Sequence, residues 1–315
     1  MPAKVTEIEL ARLNRRGFRL ALALAALALG AVTVLVASER SAARGSSGSQ
    51  WAPSANGLDR AQLWIVGDGG KLTSAMPTVE LVESLPMDRF IYLGDVYQSG
   101  TAAEFAADYA PGFGRFASKT APTPGNHEWP NRSTGYYAYW SSVRGSPPPR
   151  WYRFNLAGWQ FLIMNSEAPR GSGSAQARWL KRALRRSRGM GSCRAVVTHK
   201  PRYSGGLHGD QPSLSRLESL LAGKARAWFS GHDHSMQRVG PTRGITQFVA
   251  GAAGRGRYPV DPDHPRLRFA NDTDDGALRL TLRRGRGTGG SATWRFVSTS
   301  GETLDRGTLR CRRSR

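Results

Sequence analysis

Six side chains with metal-binding chemistry lie in five short motifs. In chain order these are Gly67-Asp68-Gly69-Gly70, Gly94-Asp95-Val96-Tyr97, Gly125-Asn126-His127-Glu128, Val196-Val197-Thr198-His199 and Gly231-His232-Asp233-His234. Two carboxylates (Asp68, Asp95), one amide oxygen (Asn126) and three imidazoles (His199, His232, His234) suit a pair of borderline transition metals. A carboxylate can bridge two cations about 3.5–4 Å apart, the spacing used in two-metal phosphate chemistry. Imidazole selects iron-, zinc- or manganese-like ions over calcium. The adjacent glycines let the backbone bend sharply enough to aim successive side chains at one centre, and His232 and His234, two residues apart, can serve one metal each. A single Asp after Gly is ordinarily a turn residue, so the signal lies in all five motifs occurring together.

Such a constellation needs elements that end where the ligands begin. Apolar runs at Leu63 to Val66, Phe90 to Leu93, Ala195 to Val197 and Ala225 to Ser230 each stop beside a motif and read as buried strands. Between them, Thr78 to Ser84, Ala102 to Tyr109 and Ala175 to Arg186 have helical character, the last with Ala177, Leu180, Ala183 and Leu184 facing inward. Strands alternating with helices predict an α/β fold whose functional groups gather beyond the carboxyl ends of the strands. Later, Pro259 to Pro265 reads as a loop, and Ala277 to Leu282 and Thr293 to Val297 as an edge hairpin across the turn Arg284 to Gly290.

From about Gln62 to His234, and more weakly through Arg238, Phe248 to Tyr258 and the final strands, the chain resembles the calcineurin-like metallophosphoesterases, in particular the purple acid phosphatases, whose five motifs match in order. The resemblance implies an α/β/β/α sandwich of four layers with two mixed sheets. It implies that Asp68 and His234 hold one metal, that Asn126, His199 and His232 hold the other, and that Asp95 bridges. Gly70 stands where much of the superfamily has a metal-binding His; purple acid phosphatases use a Tyr of the second motif instead, which makes Tyr97 a ligand candidate. The family's Tyr follows the bridging Asp by three residues, whereas Tyr97 follows Asp95 by two. The implied cofactors are two divalent or trivalent ions, iron with zinc, manganese or a second iron. The implied reaction is hydrolysis of a small phosphorylated substrate, a phosphomonoester, by in-line attack of metal-activated water. A positioned imidazole would assist the leaving group: His127 beside Asn126, or His208, which resembles a phosphate-contacting His of the plant and animal enzymes. Glu128 is a candidate to orient His127 from behind. A phosphodiesterase or nucleotidase with the same centre stays open, as does a basic, envelope-tethered binding protein with a vestigial site.

The 315 residues, 39% hydrophobic with 9 Trp, 9 Tyr and 11 Phe, supply ample core for one catalytic domain, placed at 59–311. Lys and Arg number 45 against 23 Asp and Glu, a formal net charge of +22. Residues 1–44 hold seven basic and three acidic groups, so +18 belongs to the rest. That charge fits either a solvated surface or attraction for polyanions, an anionic membrane or cell-envelope surface. No aromatic-interleaved basic motif points to nucleic acid. Residues 1–19 are basic and carry Arg15-Arg16 in a pattern resembling a twin-arginine signal, 20–37 lack charge, and 38–58 read as a flexible linker. The expectation is an exported, extracytoplasmic domain, either cleaved from residues 20–37 or anchored by them. In such a compartment Cys193 and Cys311 could pair, although sequence alone does not place them within reach. Asp272, Asp274 and Asp275 read as a turn rather than a calcium loop, Arg238 as a structural residue, and His264, among prolines, as solvent-facing.

Overall fold

The expected strands form, and further strands extend the two sheets they begin. In the computed structural model, residues 51–311 are described apart from Pro53, Asn56, 188–192 and 287–288. The basic N-terminal region and the apolar run 20–37 therefore lie outside the described residues. Among the described residues no helix is long and apolar enough to cross a membrane.

The strands in order are β1 (Arg60–Val66), β2 (Arg89–Tyr92), β3 (Thr120–Pro122), β4 (Tyr152–Leu156), β5 (Trp159–Ile163), β6 (Arg194–Val197), β7 (Ala227–Ser230), β8 (Met236–Thr242), β9 (Ile245–Ala250), β10 (Leu267–Asn271), β11 (Gly276–Arg284), β12 (Gly290–Ser298) and β13 (Thr303–Arg310). The helices are α1 (Leu72–Glu83), α2 (Ala102–Glu104, continuing as a π-turn through Tyr109), α3 (Tyr136–Arg144), α4 (Ala175–Arg186) and α5 (Ser215–Leu221). One sheet has the order β13-β12-β11-β1-β2-β3, the other β10-β8-β9-β7-β6-β5-β4. Both are mixed: β1, β2 and β3 run parallel while β1, β11, β12 and β13 pair antiparallel, and β5, β6, β7 and β9 run parallel while β4 pairs antiparallel with β5, and β8 antiparallel with both β9 and β10.

Strand periodicity divides the core. Phe161, Ile163, Ala195, Val197, Ala227 and Phe229 belong to the large cluster they share with the six-stranded sheet. Their neighbours Leu162, Val196 and Trp228 face outward to Leu180 and Leu184 of α4 and Leu217 and Leu221 of α5. On the other sheet α1 buries Ala75, Val79 and Val82 and packs against β11. Helix, sheet, sheet and helix are the four layers expected.

Four local differences from the sequence reading have physical causes. Helix α1 starts at Leu72 and runs through Pro77, because Asp108, distant in sequence, caps it: Leu72 N–H donates to its Oδ1 at 3.2 Å and Lys71 Nζ to its Oδ2 at 3.0 Å. The hairpin β11–β12 is not at an edge, since β13 adds a further strand outside it. Order begins before residue 59: Trp51 is buried edge-on against Trp140 at 5.6 Å, and its Nε1 donates to the Ser146 carbonyl at 2.8 Å. His264 is half-buried rather than solvent-facing, with Nε2 3.2 Å from Asp210 Oδ1. Arg238 is structural as read, gripping Asp305 at 2.7 and 3.2 Å.

Cys193, entering β6, and Cys311, leaving β13, form a disulfide across 118 residues that joins one sheet to the other. Opening so long a loop in the unfolded chain is costly, so Cys193→Ser with Cys311→Ser should lower unfolding stability by about 2–5 kcal/mol. Denaturant melts of both proteins, with and without reductant, check this; reductant should affect only the parent.

Candidate metal centre

The motifs arrive from five loops at one end of the two sheets. Asp68 follows β1, Asp95 follows β2, Asn126 lies beyond β3, His199 follows β6, and His232 and His234 lie between β7 and β8. Three of these residues hold left-handed backbone without being glycine: Asp68 at φ 62°, Asp95 at φ 65° and His232 at φ 74°. Each such residue costs on the order of 1–3 kcal/mol and persists only where its surroundings enforce it. Close packing also explains two motif glycines: a Cβ on Gly125 would strike the Asp95 carboxylate, and one on Gly231 the Asp68 carboxylate.

Two groups of ligand atoms result. In the first, the Tyr97 hydroxyl lies 2.9 Å from Asp68 Oδ1, 3.0 Å from Asp95 Oδ2 and 2.8 Å from His234 Nε2. In the second, His199 Nε2 lies 3.1 Å from Asn126 Oδ1, 3.2 Å from His232 Nδ1 and 3.3 Å from Asp95 Oδ2. Ligand atoms of Asp95, His199 and His232, all buried, fall within 4.8 Å of one another. Asp95 belongs to both groups. The one-residue displacement of Tyr97 therefore leaves its phenol within the first group.

The imidazoles are oriented from behind. His199 Nδ1 lies 2.9 Å from the Leu93 carbonyl and His234 Nδ1 2.7 Å from the Gly256 carbonyl. Each Nδ1–H must donate there, which turns the Nε2 lone pair inward, the arrangement that prepares histidine for a metal. Inward lone pairs then face carboxylate and amide oxygens, a set of acceptors with too few protons. The titration shifts express this. Burial pushes the Asp68 carboxyl up to about 8, and lowers the His232 and His234 imidazoles to about 2 and about 4. For Asp95, burial works upward but His199 outweighs it and holds the carboxyl well below its usual range. Burial works against the charged His199 ring, but Asp95 outweighs it and raises the ring to about 10. Without metal the site must hold protons where a cation would otherwise compensate the charge, so the donor set fits metal ions well.

Around this core the structure places the remaining candidates. The His127 ring, partly exposed, has Nδ1 2.5 Å from the Gln98 carbonyl and Nε2 3.8 Å from Asp95 Oδ2, and it packs on Tyr97 at 4.4 Å between ring centres. His208 is exposed and stacks on His232 at 4.2 Å; its backbone N–H donates to Asp233 Oδ1 at 2.8 Å. Glu128 does not orient His127. Its carboxylate is fully engaged with the backbone, accepting from the N–H groups of Asp95, Val96 and Gly125, each at 3.0 Å. Backbone donors at that distance hold it more firmly than a half-exposed ring could. It thereby ties the second and third motifs together.

Three neighbours escaped the sequence reading. The Tyr258 ring stacks on His234 at 4.1 Å and 17°. The Arg255 guanidinium lies 4.7 Å from the Tyr97 ring centre and donates to Gln98 Oε1 at 3.0 Å. Asp233, buried between the two histidines of its own motif, accepts from Ser204 Oγ at 2.5 Å and fixes the turn that carries His208. Asp233 sits in a motif already noticed; Arg255 and Tyr258 lie in a glycine-rich irregular stretch with no periodicity to mark them.

Comparison with known proteins agrees with this geometry. The calcineurin-like phosphoesterase family model matches residues 64–236, and the chain belongs to that family. Among curated proteins it is similar to purple acid phosphatase 21 of Arabidopsis thaliana, with 28% identity over 56% of this chain and 44% of the relative. It is likewise similar to probable purple acid phosphatase 20 of the same plant, with 30% identity over 55% and 45%. The chain thus spans under half the length of these relatives. In fold it is similar to purple acid phosphatase PPD1 from yellow lupin seeds, with a TM-score of 0.62 and 17% identity, covering 82% of this chain and 55% of that one.

Glu128→Ala would strand three buried backbone donors at about 1–3 kcal/mol each. Glu128→Gln, which keeps one acceptor oxygen, should be milder, costing about 2 kcal/mol. The prediction is that both variants melt lower and retain less metal, in the order parent, Gln, Ala; elemental analysis and thermal melts on the same samples check it.

Proposed function

We propose that the protein is a binuclear-metal phosphoesterase of the purple acid phosphatase type that hydrolyses phosphate monoesters outside the cytoplasm. The observation that carries this reading is the convergence of Asp68, Asp95, Tyr97 and His234 beside Asn126, His199 and His232, with Asp95 common to both groups. Asp68, Tyr97 and His234 are assigned to one ion, Asn126, His199 and His232 to the other, and Asp95 to both. Two such ions, iron with zinc, manganese or a second iron, would supply Lewis acidity toward phosphate oxygens and lower the pKa of a water toward neutrality.

The chain's own groups bind, orient and move protons. Arg255 has its guanidinium over the Tyr97 ring and, among the described residues, only the neutral Gln98 amide as a side-chain hydrogen-bond partner, which suits the second negative charge of a monoester dianion. His127, half-exposed beside Asp95, is placed to protonate the departing oxygen. His208, stacked on His232, is the alternative donor and a contact for a phosphate oxygen. Tyr258 and Tyr97 flank the His234 ring and limit its movement. Export is supported by the twin-arginine pattern and by the Cys193–Cys311 disulfide, a bond that persists in oxidising compartments.

Elemental analysis of the full chain should find two metals, and phosphate release should be faster from a monoester than from a diester of the same leaving group. Asp95→Asn should remove metal and lower turnover at least about 10³-fold, on the scale of losing a principal charge-stabilising group. His127→Ala should retain metal and lose about 10²-fold. If iron is bound, a visible absorption band should be present and vanish in Tyr97→Phe. A chain that takes up no metal and hydrolyses neither ester would sink the reading.

A further inference from the structure

The six-stranded sheet has a second face whose chemistry the catalytic reading does not use. Cross-strand partners in antiparallel pairs share a face, so the register places Arg60 beside Arg283, Gln62 beside Thr281, Arg279 beside Arg295 and Thr281 beside Thr293. β13 continues the pattern, with Arg306 beside Arg295, Thr308 beside Thr293 and Arg310 beside Ser291. Three rows therefore cross the strands. Arg60, Arg283 and Arg310 form one outer row, and Arg279, Arg295 and Arg306 the other. Between them runs a floor of Gln62, Thr281, Thr293 and Thr308. The two arginine rows are four residues apart along each strand, about 13 Å, and successive floor residues are about 4.8 Å apart.

The result is a groove of about 250 Å³ lined by Arg60, Gln62, Arg279, Thr281, Arg283, Thr293 and Arg295. Its floor residue Gln62 precedes Asp68 by six positions, roughly 20 Å along β1, so it is separate from the metal centre. No carboxylate among the described residues forms an ion pair with any of the six arginines. Nearby acids are engaged elsewhere: Asp88 Oδ2 accepts from the Gln62 backbone at 2.7 Å, and Asp305, on the opposite face, holds Arg238. The Arg279 Nε is buried without a hydrogen-bond partner, its guanidinium lying over the Trp64 ring at 5.4 Å. Burial first, then the charges of Arg295 and Arg60, lower the Arg279 pKa, consistent with like charges set close together.

We propose that this groove binds a linear chain of phosphate groups, laid across the strands with its charges between the two arginine rows and its oxygens on the Thr and Gln floor. Guanidinium suits phosphate because its planar fork makes paired, charge-assisted hydrogen bonds. A nucleic acid fits less well, because no aromatic side chain lines the groove to stack bases, Trp64 at its end being buried. An anionic membrane also fits less well: the exposed large apolar side chains, Leu58, Leu85, Val143 and Leu207, are not among the groove's lining residues.

The test is fluorescence anisotropy of end-labelled inorganic polyphosphate titrated with the full chain, comparing the parent with Arg283→Glu/Arg295→Glu. A control, Arg182→Glu/Arg185→Glu on the exposed face of α4, changes net charge equally elsewhere. The parent should bind, with affinity falling steeply between about 50 and 200 mM salt. The groove variant should lose about tenfold or more in affinity, while the control and a charge-keeping Arg283→Lys/Arg295→Lys variant lose little; monoester turnover should stay at the parent value, and the melting temperature of the groove variant should equal or exceed the parent's, since each new Glu faces an Arg across the strands. Equal losses in groove and control variants would overturn the proposal in favour of unspecific charge. A single-stranded oligonucleotide or anionic phospholipid vesicles bound more tightly than polyphosphate, and lost in the same groove variant, would overturn the choice of occupant.

Discussion

Too many lone pairs meet in one buried place. Asp68, Asp95, Tyr97, His234, His199, Asn126 and His232 bring polar atoms within about hydrogen-bond distance of one another, and His199 and His234 already give their Nδ1–H protons to the backbone carbonyls behind them. A protein interior tolerates such a set only when something positive is shared among its members. Left to protons alone, the site settles on a raised Asp68 and a protonated His199 against an ionised Asp95. Most other unusual features of the chain keep those acceptors from moving apart.

The strained backbone at Asp68, Asp95 and His232 is one such feature, and it is sustained by cross-loop contacts rather than by local sequence. Asp68 Oδ2 accepts from the His232 backbone N–H at 3.0 Å, Asp95 Oδ1 from that of His127 at 3.1 Å, and Glu128 from three backbone donors. The carboxylates thus hold the loops as well as presenting oxygens to the centre. The two sheets bring the loop-bearing strand ends together, and the disulfide joins them directly. A loss of stability at Glu128 is therefore expected to reach the site through geometry, with no contact between that residue and substrate.

What was legible in the sequence follows the range of the interactions involved. The buried strands before Asp68, Asp95, His199 and His232 showed as apolar runs, and α4 showed its full length, because periodicity is a local record of one buried face. The candidate ligand residues stood out because their types are costly to bury without a compensating partner. The start of α1 did not show, since its cap comes from Asp108. Glu128 was noticed but misread: adjacency to His127 suggested one partner, whereas the fold supplied three backbone amides. Arg255 and Tyr258 lie where the family likeness is weaker, and neither is marked as a site residue because nothing local brings an irregular segment against Tyr97 and His234.

The arginine face follows the same logic with the opposite sign. A strand with one face in the core must alternate, and β11 does so with Leu278, Leu280 and Leu282 inward and Arg279, Thr281 and Arg283 outward. Solubility would be satisfied by any mixture of charges on that outer face, and mixed signs would stabilise the sheet through cross-strand pairs. Instead Arg283 faces Arg60, and Arg279 faces Arg295, which in turn faces Arg306. Like charges placed directly opposite are destabilising, so the pattern opposes the sheet's own stability. At the metal centre, uncompensated acceptors indicate a cation; on the far face, uncompensated donors arranged around a hydroxyl-lined floor indicate an anion of extended shape. Charge left unpaired by the fold, in both places, identifies the partner that would complete it.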